Sequence, residues 1–244
     1  FTWVTRKMKE KVNIPLVTSN GINLPGVAEE ILARGDADMV SLARPLLADP
    51  EFAKKAHEGR ADEINVCIAC NQACLDHTFS NKMSSCLVNP RACHETELNY
   101  ATATASKRFA VVGAGPAGLS AALVLAERGH AVDLYDAASE IGGQLNMAKI
   151  IPGKEEFHEM LRYFERQVEL HDVNLHLGKR VTALDLKDRR YLGVIIATGV
   201  RSNSYLARLA GLARGSPELS ELSELAAANA GRVRGWIRRA SGSG

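Results

Sequence analysis

Short apolar runs alternate with amphipathic stretches along the first 200 residues, and the alternation predicts two βα assemblies separated by an aperiodic middle. Residues 14–18 (IPLVT) predict a buried strand, 24–34 (LPGVAEEILAR) a helix with Pro25 near its start, and 39–42 (MVSL) a second strand. Strand, helix and strand at this spacing make a parallel βαβ unit. Functional residues of such a unit belong at the carboxyl ends of its strands, here Ser19-Asn20-Gly21 and Ala43-Arg44-Pro45. Residues 109–136 repeat the pattern: an apolar strand, a helix and a second strand that ends at Asp136. A further apolar run, VIIATG, occupies 194–199, and residues 101–107 (ATATASK) have no apolar periodicity and read as a linker. After Val200 the composition shifts. Leu219, Leu222 and Leu225 recur at helical spacing before a flexible SGSG end, yet the abrupt change to Arg, Ala, Gly and Ser reads as translation in a shifted frame.

Composition narrows the class without naming a chemistry. With 244 residues, 46 % of them apolar and 24 % charged, the chain can bury a substantial core in one or two domains. No apolar run approaches the roughly eighteen residues of a membrane span, and the first residues lack the shape of a secretory signal. A cytoplasmic protein with no membrane partner is the expectation. Residues 201–244 hold seven of the 30 basic residues and three of the 28 acidic ones, which leaves 23 against 25, or a net −2, for residues 1–200. No nucleic-acid surface is implied. The chain begins at Phe1 in mid-pattern, from which missing upstream sequence is expected.

The aperiodic middle carries the densest chemistry. Cys67, Cys70, Cys74 and Cys86 follow C-x2-C-x3-C-x11-C, three thiols within eight residues and a fourth after a loop. Zinc sites usually use two C-x2-C pairs with a longer spacer, whereas iron–sulfur cubanes take three cysteines from a tight run and a fourth from elsewhere. The spacing favours a 4Fe-4S cluster over zinc, and the absence of secreted, disulfide-dense character puts disulfides last. Cys93 is expected as a buried free thiol, and His94 as a surface or packing residue.

Gly113-x-Gly115-x-x-Gly118, with Ala117 inside it, stands directly after a strand and directly before a helix. In that context the first glycine makes the turn, the second admits a pyrophosphate against backbone, and the third lets helix and strand pack closely. Asp136 follows Gly118 by eighteen residues, where a carboxylate can accept hydrogen bonds from ribose hydroxyls. By itself, Arg44 after a strand is a weak phosphate signal.

Several segments resemble known families. SNGIN followed by DADMVSLARPLLADP is similar to the last two strands of the FMN-binding TIM barrel of the Old yellow enzyme family, which implies that Arg44, with Ala43 beside it, grips the FMN phosphate. Relatives usually carry an Arg where this chain has Gly21, so the resemblance implies a weakened or rearranged FMN grip. INVCIACNQACLD and SCLVNPRACHE resemble the iron–sulfur segment of NADPH-dependent 2,4-dienoyl-CoA reductases, which makes Cys67, Cys70, Cys74 and Cys86 the cluster ligands. Trimethylamine dehydrogenase and its relatives share the architecture but space the third cysteine one residue closer. EIGGQLNMAKIIPGKEEF resembles the FAD segment of the same reductases, which brings Gln144 and Lys154 to the flavin nucleotide.

The implied fold is α/β: the end of a TIM (β/α)8 barrel over 1–60, an iron–sulfur segment over 61–100, a linker over 101–107, a partial Rossmann-like FAD-binding domain over 108–200 and an unassigned tail over 201–244. The implied parent passes electrons from NADPH through FAD, the cluster and FMN to an unsaturated acyl-CoA. No catalytic residue is assigned in these positions, oligomeric state is left open, and the chain alone is expected not to turn over. Enoate reductases, amine dehydrogenases and a zinc-stapled module are the alternatives.

Overall fold

Residues 2–187 and 190–200 are described by the computed structural model. Helix α1 (Thr2–Lys9) leads into β1 (Val17–Thr18), α2 (Pro25–Ala33) and β2 (Met39–Val40). Pro25 in the first turn of α2 has the fixed φ a helix start needs and no N–H to leave unpaired. The strands β1 and β2 pair in parallel, Val17 with Met39 and Thr18 with Val40. Both are shorter than the expected 14–18 and 39–42. Pro15 has no ladder donor, Ile14 is exposed, and Leu42 leaves the ladder to pack on two small clusters, Ile22/Ile31/Ala37 and Phe52/Ile64/Val66.

Helices α3 (Arg44–Ala48) and α4 (Phe52–His57) and a 3-10 turn at Ala61–Glu63 carry the chain to the cysteines. A π-helical turn over Gln72–Asp76 then runs into α5 (His77–Phe79). The cysteine segment is sewn into both neighbours: Ile64 and Val66 pack towards the first assembly, while Ile68 and Val88 pack on the core of the second. Arg162 adds hydrogen bonds to the carbonyls of Asp62 and Ile64.

The second assembly runs β3 (Arg108–Val112), α6 (Pro116–Glu127), β4 (Ala131–Tyr135), α7 (Leu145–Ala148), α8 (Glu156–Leu170), β5 (Asn174–His176), α9 (Ala183–Lys187) and β6 (Gly193–Ile196). Its sheet is parallel throughout in the order β5-β4-β3-β6. One face is covered by Leu119, Ala122 and Leu123 of α6 and by Met160, Leu161, Phe164 and Val168 of α8, whose three- and four-residue spacing makes a single apolar stripe. Burial of each large side chain contributes roughly 1.5–3 kcal/mol. Since β6 joins β3 on the side away from β4 and β5, the strand order reverses there. The carboxyl ends of β3 and β6 therefore flank the topological position at which parallel sheets bind ligands.

No helix among the described residues is long and apolar enough to cross a membrane. The tail expected over 201–244, with Leu219, Leu222 and Leu225, lies outside the described residues.

Candidate functional site

The thiols of Cys67, Cys70, Cys74 and Cys86 line one small cavity, together with Arg44, Leu47, Ile68 and Asn71. Left-handed backbone at Ala69 (φ 53°) and Asn71 (φ 61°) reverses the chain on both sides of Cys70, which lets thiols three and four residues apart face one point. A non-glycine residue held there costs of order 1 kcal/mol, a strain characteristic of functional loops. Ser85 N–H donates to Ala73 O at 2.7 Å and folds the segment bearing Cys86 back over the turn bearing Cys74. Burial pushes the Cys67 thiol up; Ala69 N–H and the Arg44 guanidinium oppose this, and the Cys70 and Cys74 thiols add to it. Burial likewise pushes Cys86 up, against Val88 and Asn89 N–H and with Cys67 and Cys70. Four soft donors around one cavity, two of them pushed up by burial, could hold a cationic metal centre, which would favour their thiolate forms. Among the described residues, no three His, Cys, Asp or Glu side chains gather on a single-ion position.

Cys93 stands apart from this cage. It is exposed, with left-handed backbone (φ 63°) and its N–H on Glu95 Oε1, rather than buried as expected; the turn after Pro90 carries it away from the core. His94 Nδ1 lies 3.2 Å from Glu97 Oε2, a half-exposed helical-type pair.

The first assembly reaches into the cage from both strand ends. Arg44 Nη1 donates to Asn71 Oδ1, and Asn23 Nδ2 donates to Cys67 O at 3.1 Å. Ala43, just before Arg44, caps α3 with its carbonyl, which accepts from Leu46 and Leu47 N–H. Gly21 has φ 71° and open space where a Cβ would stand, so it is the backbone conformation, not crowding, that favours glycine there.

The glycine turn and its neighbours assemble where the strand order reverses. Gly113 adopts φ 111°, and a Cβ there would lie 2.2 Å from Ala197 O; a Cβ on Gly118 would lie 1.8 Å from Gly113 O. These two glycines lock β3, α6 and the end of β6 together. A Cβ on Gly115 would meet nothing within 4 Å, which leaves open space over the N-terminus of α6, whose dipole favours an anion. Gly142 N–H donates to Ala114 O at 2.7 Å, and Gly143 packs on Gly115, which carries the exposed Gln144 to the rim of the same turn. Asp136 accepts from Ala114 N–H at 2.6 Å and from Ala138 N–H at 2.8 Å, so its first task is to brace the glycine turn. Each of its oxygens keeps a lone pair for a further donor. Ala117 is exposed on the first turn of α6, in the wall of a separate cavity of about 530 Å³ shared with Asn89, Arg91, Tyr100 and Tyr163. Lys154 holds its ammonium over the Phe157 ring at 5.8 Å in the turn before α8.

Sequence reasoning missed a buried network on the other face of the sheet. Asp133, 3 % exposed, accepts from Arg108, Tyr191, Asn174 and His176. Burial alone would raise its pKa, but hydrogen bonds from Tyr191, Arg108, His176 and Asn174 outweigh it and hold the carboxyl at about 2. The signal available was a lone Asp amid the apolar strand AVDLY.

Residues 2–63 match the NADH:flavin oxidoreductase / NADH oxidase family, and residues 107–231 match the pyridine nucleotide-disulphide oxidoreductase family. The chain belongs to the pyridine nucleotide-disulphide oxidoreductase family. This member is 37 % identical over 203 residues to a metal reductase of Desulforamulus reducens, covering 82 % of this chain and 30 % of that protein. It is 39 % identical over 201 residues to an NADH oxidase of Thermoanaerobacter brockii, covering 81 % and 31 %. The fold superimposes with TM-score 0.76 on a 2-naphthoyl-CoA reductase in complex with 2-naphthoyl-CoA, at 34 % identity, over 80 % of this chain and 30 % of that one. Histamine dehydrogenase from Rhizobium sp. 4-9 superimposes with TM-score 0.73 at 31 % identity, over 81 % and 30 %. The pyridine nucleotide-disulphide oxidoreductase member described here therefore spans about 30 % of the length of the relatives it matches.

Proposed function

We propose that this chain is the electron-transfer junction of an iron–sulfur flavoprotein reductase. In this reading Cys67, Cys70, Cys74 and Cys86 hold a 4Fe-4S cluster, the glycine turn holds FAD, the end of the barrel unit contributes to an FMN site, and the enzyme uses NADPH to reduce a 2,4-dienoyl-CoA in fatty-acid β-oxidation. The observation that carries it is the convergence of four thiols from one loop on a single cavity, on the same compact unit as a glycine turn with space above Gly115. The donor set fits the cluster, since four sulfur donors line one cavity and burial pushes the Cys67 and Cys86 thiols up, so that a cation is needed to hold them as thiolates. The cradle fits a pyrophosphate, since glycine at 115 leaves open what a side chain would fill.

When bound, the cluster would supply one-electron transfer between the two flavin sites. This chain's own residues do the rest. Ile68, which lines the cysteine cavity, also packs on the second core and ties the cage to it, and Asp136 braces the glycine turn. An acyl-CoA substrate is favoured by the likeness to a 2-naphthoyl-CoA reductase in complex with 2-naphthoyl-CoA.

Anaerobic reconstitution tests the reading. The chain is expected to take up about four iron and four acid-labile sulfide with a broad visible absorption, and then to bind FAD. Colourless, stoichiometric zinc binding without sulfide uptake would refute it.

A further inference from the structure

We infer that Arg44 and Asn23, at the carboxyl ends of the two barrel-type strands, are positioning residues for the cysteine cage. Their partners belong to the cysteine loop: Arg44 Nη1 donates to Asn71 Oδ1 and Asn23 Nδ2 to Cys67 O. Asn71 is the left-handed residue between Cys70 and Cys74, so a guanidinium on its side chain fixes the reversal that aims both thiols inward. Cys67 opens the cage, and a donor on its carbonyl fixes the peptide that enters it. Arg44 also lines the cavity itself and sets a permanent positive charge beside the thiols. A cage whose sulfurs carry negative charge is easier to reduce with a cation in its wall, because reduction adds one more negative charge there. The two strand ends therefore act on the cage in two ways, by hydrogen bond and by field.

The inference rests on the metal-centre reading for its electrostatic half only, and two substitutions separate the halves. Asn71→Gly keeps the left-handed backbone and deletes the acceptor, whereas Arg44→Gln keeps a donor and deletes the charge. In the 244-residue chain without metal, hydrogen exchange over residues 67–76 should quicken about tenfold in Asn71→Gly and in Asn23→Ala, with β3 and β4 amides unchanged. Equal exchange in both variants and the parent would overturn the positioning role whether or not a cluster forms. In the reconstituted chain, Arg44→Gln should move the midpoint potential of the centre to more negative values, and Arg44→Lys should restore it. An unchanged potential in Arg44→Gln would overturn the electrostatic role. Iron and sulfide analysis of the parent chain is the separate check on the cluster, so failure there is distinguishable from failure of the clasp. If Arg44→Gln does not fold, Asn71→Gly in the metal-free chain still decides the positioning role: fast loop exchange is expected, and exchange equal to the parent's would overturn it.

Discussion

Gly115 and Gly118 lie three residues apart in one turn, and the structure predicts opposite consequences for filling them. A Cβ on Gly118 would stand 1.8 Å from Gly113 O, against about 3.4 Å for an ordinary contact, and the obstacle is backbone that cannot rotate away. Helix α6 must withdraw from β3 by more than about 1 Å, which opens the core formed by Leu119, Ala122 and Leu123. Overpacking of this kind costs about 1–3 kcal/mol, and a backbone clash puts Gly118→Ala near 3. A Cβ on Gly115 meets nothing, and its φ of −79° suits any residue, so Gly115→Ala and Gly115→Val should change stability by no more than about 0.5 kcal/mol. Urea unfolding followed by circular dichroism reads the difference. With a slope of roughly 2–3 kcal/mol/M for a chain of this size, Gly118→Ala should lower the midpoint by about 1 M while both Gly115 variants stay with the parent. FAD binding, followed by flavin fluorescence, should reverse the order among folded proteins: Gly115→Val should weaken it by at least about a hundredfold, because its side chain occupies the space left for the pyrophosphate. Parental FAD affinity in Gly115→Val, or parental stability in Gly118→Ala, would refute the reasoning.

Replacement of Cys67, Cys70, Cys74 or Cys86 by Ser should each abolish iron and sulfide uptake, whereas exposed Cys93→Ser should keep it; a Cys93 variant lacking iron would overturn the ligand set. Asp133, held at about 2 against an ordinary 3.8, contributes stability that is complete above pH 4 and lost as pH falls towards 2, about 2.5 kcal/mol in all. Asp133→Asn should therefore lie about that much below the parent at pH 7 and converge with it near pH 2, and a gap that stays constant on acid titration would count against the network. Asp49, 4 % exposed, accepts from Lys55 Nζ at 2.7 Å and from the amides of Glu51 and Asn65. Asp49→Ala should cost about 3 kcal/mol by stranding the half-buried Lys55, and a thermal midpoint equal to the parent's would refute that assignment.

Local spacing was enough for everything that depends on neighbours along the chain. Pro25 set the start of α2, the glycines set the β3–α6 turn, and the close run of cysteines set which of them line one cavity, since each constraint acts within about a dozen residues. Tertiary structure decided what those elements touch. Arg44 reaches Asn71 across 27 positions and Asn23 reaches Cys67 across 44, and no periodicity encodes such pairings, because they depend on how one assembly docks on the next. The same holds for the bond that Asp136 accepts from Ala114 N–H, since it depends on the turn that faces the end of β4. Cys93, expected inside as a small apolar residue, is exposed because the turn after Pro90 carries it outward. The strands at 14–18 and 39–42 were legible as apolar runs but not in length, for a ladder extends only while the partner backbone stays alongside.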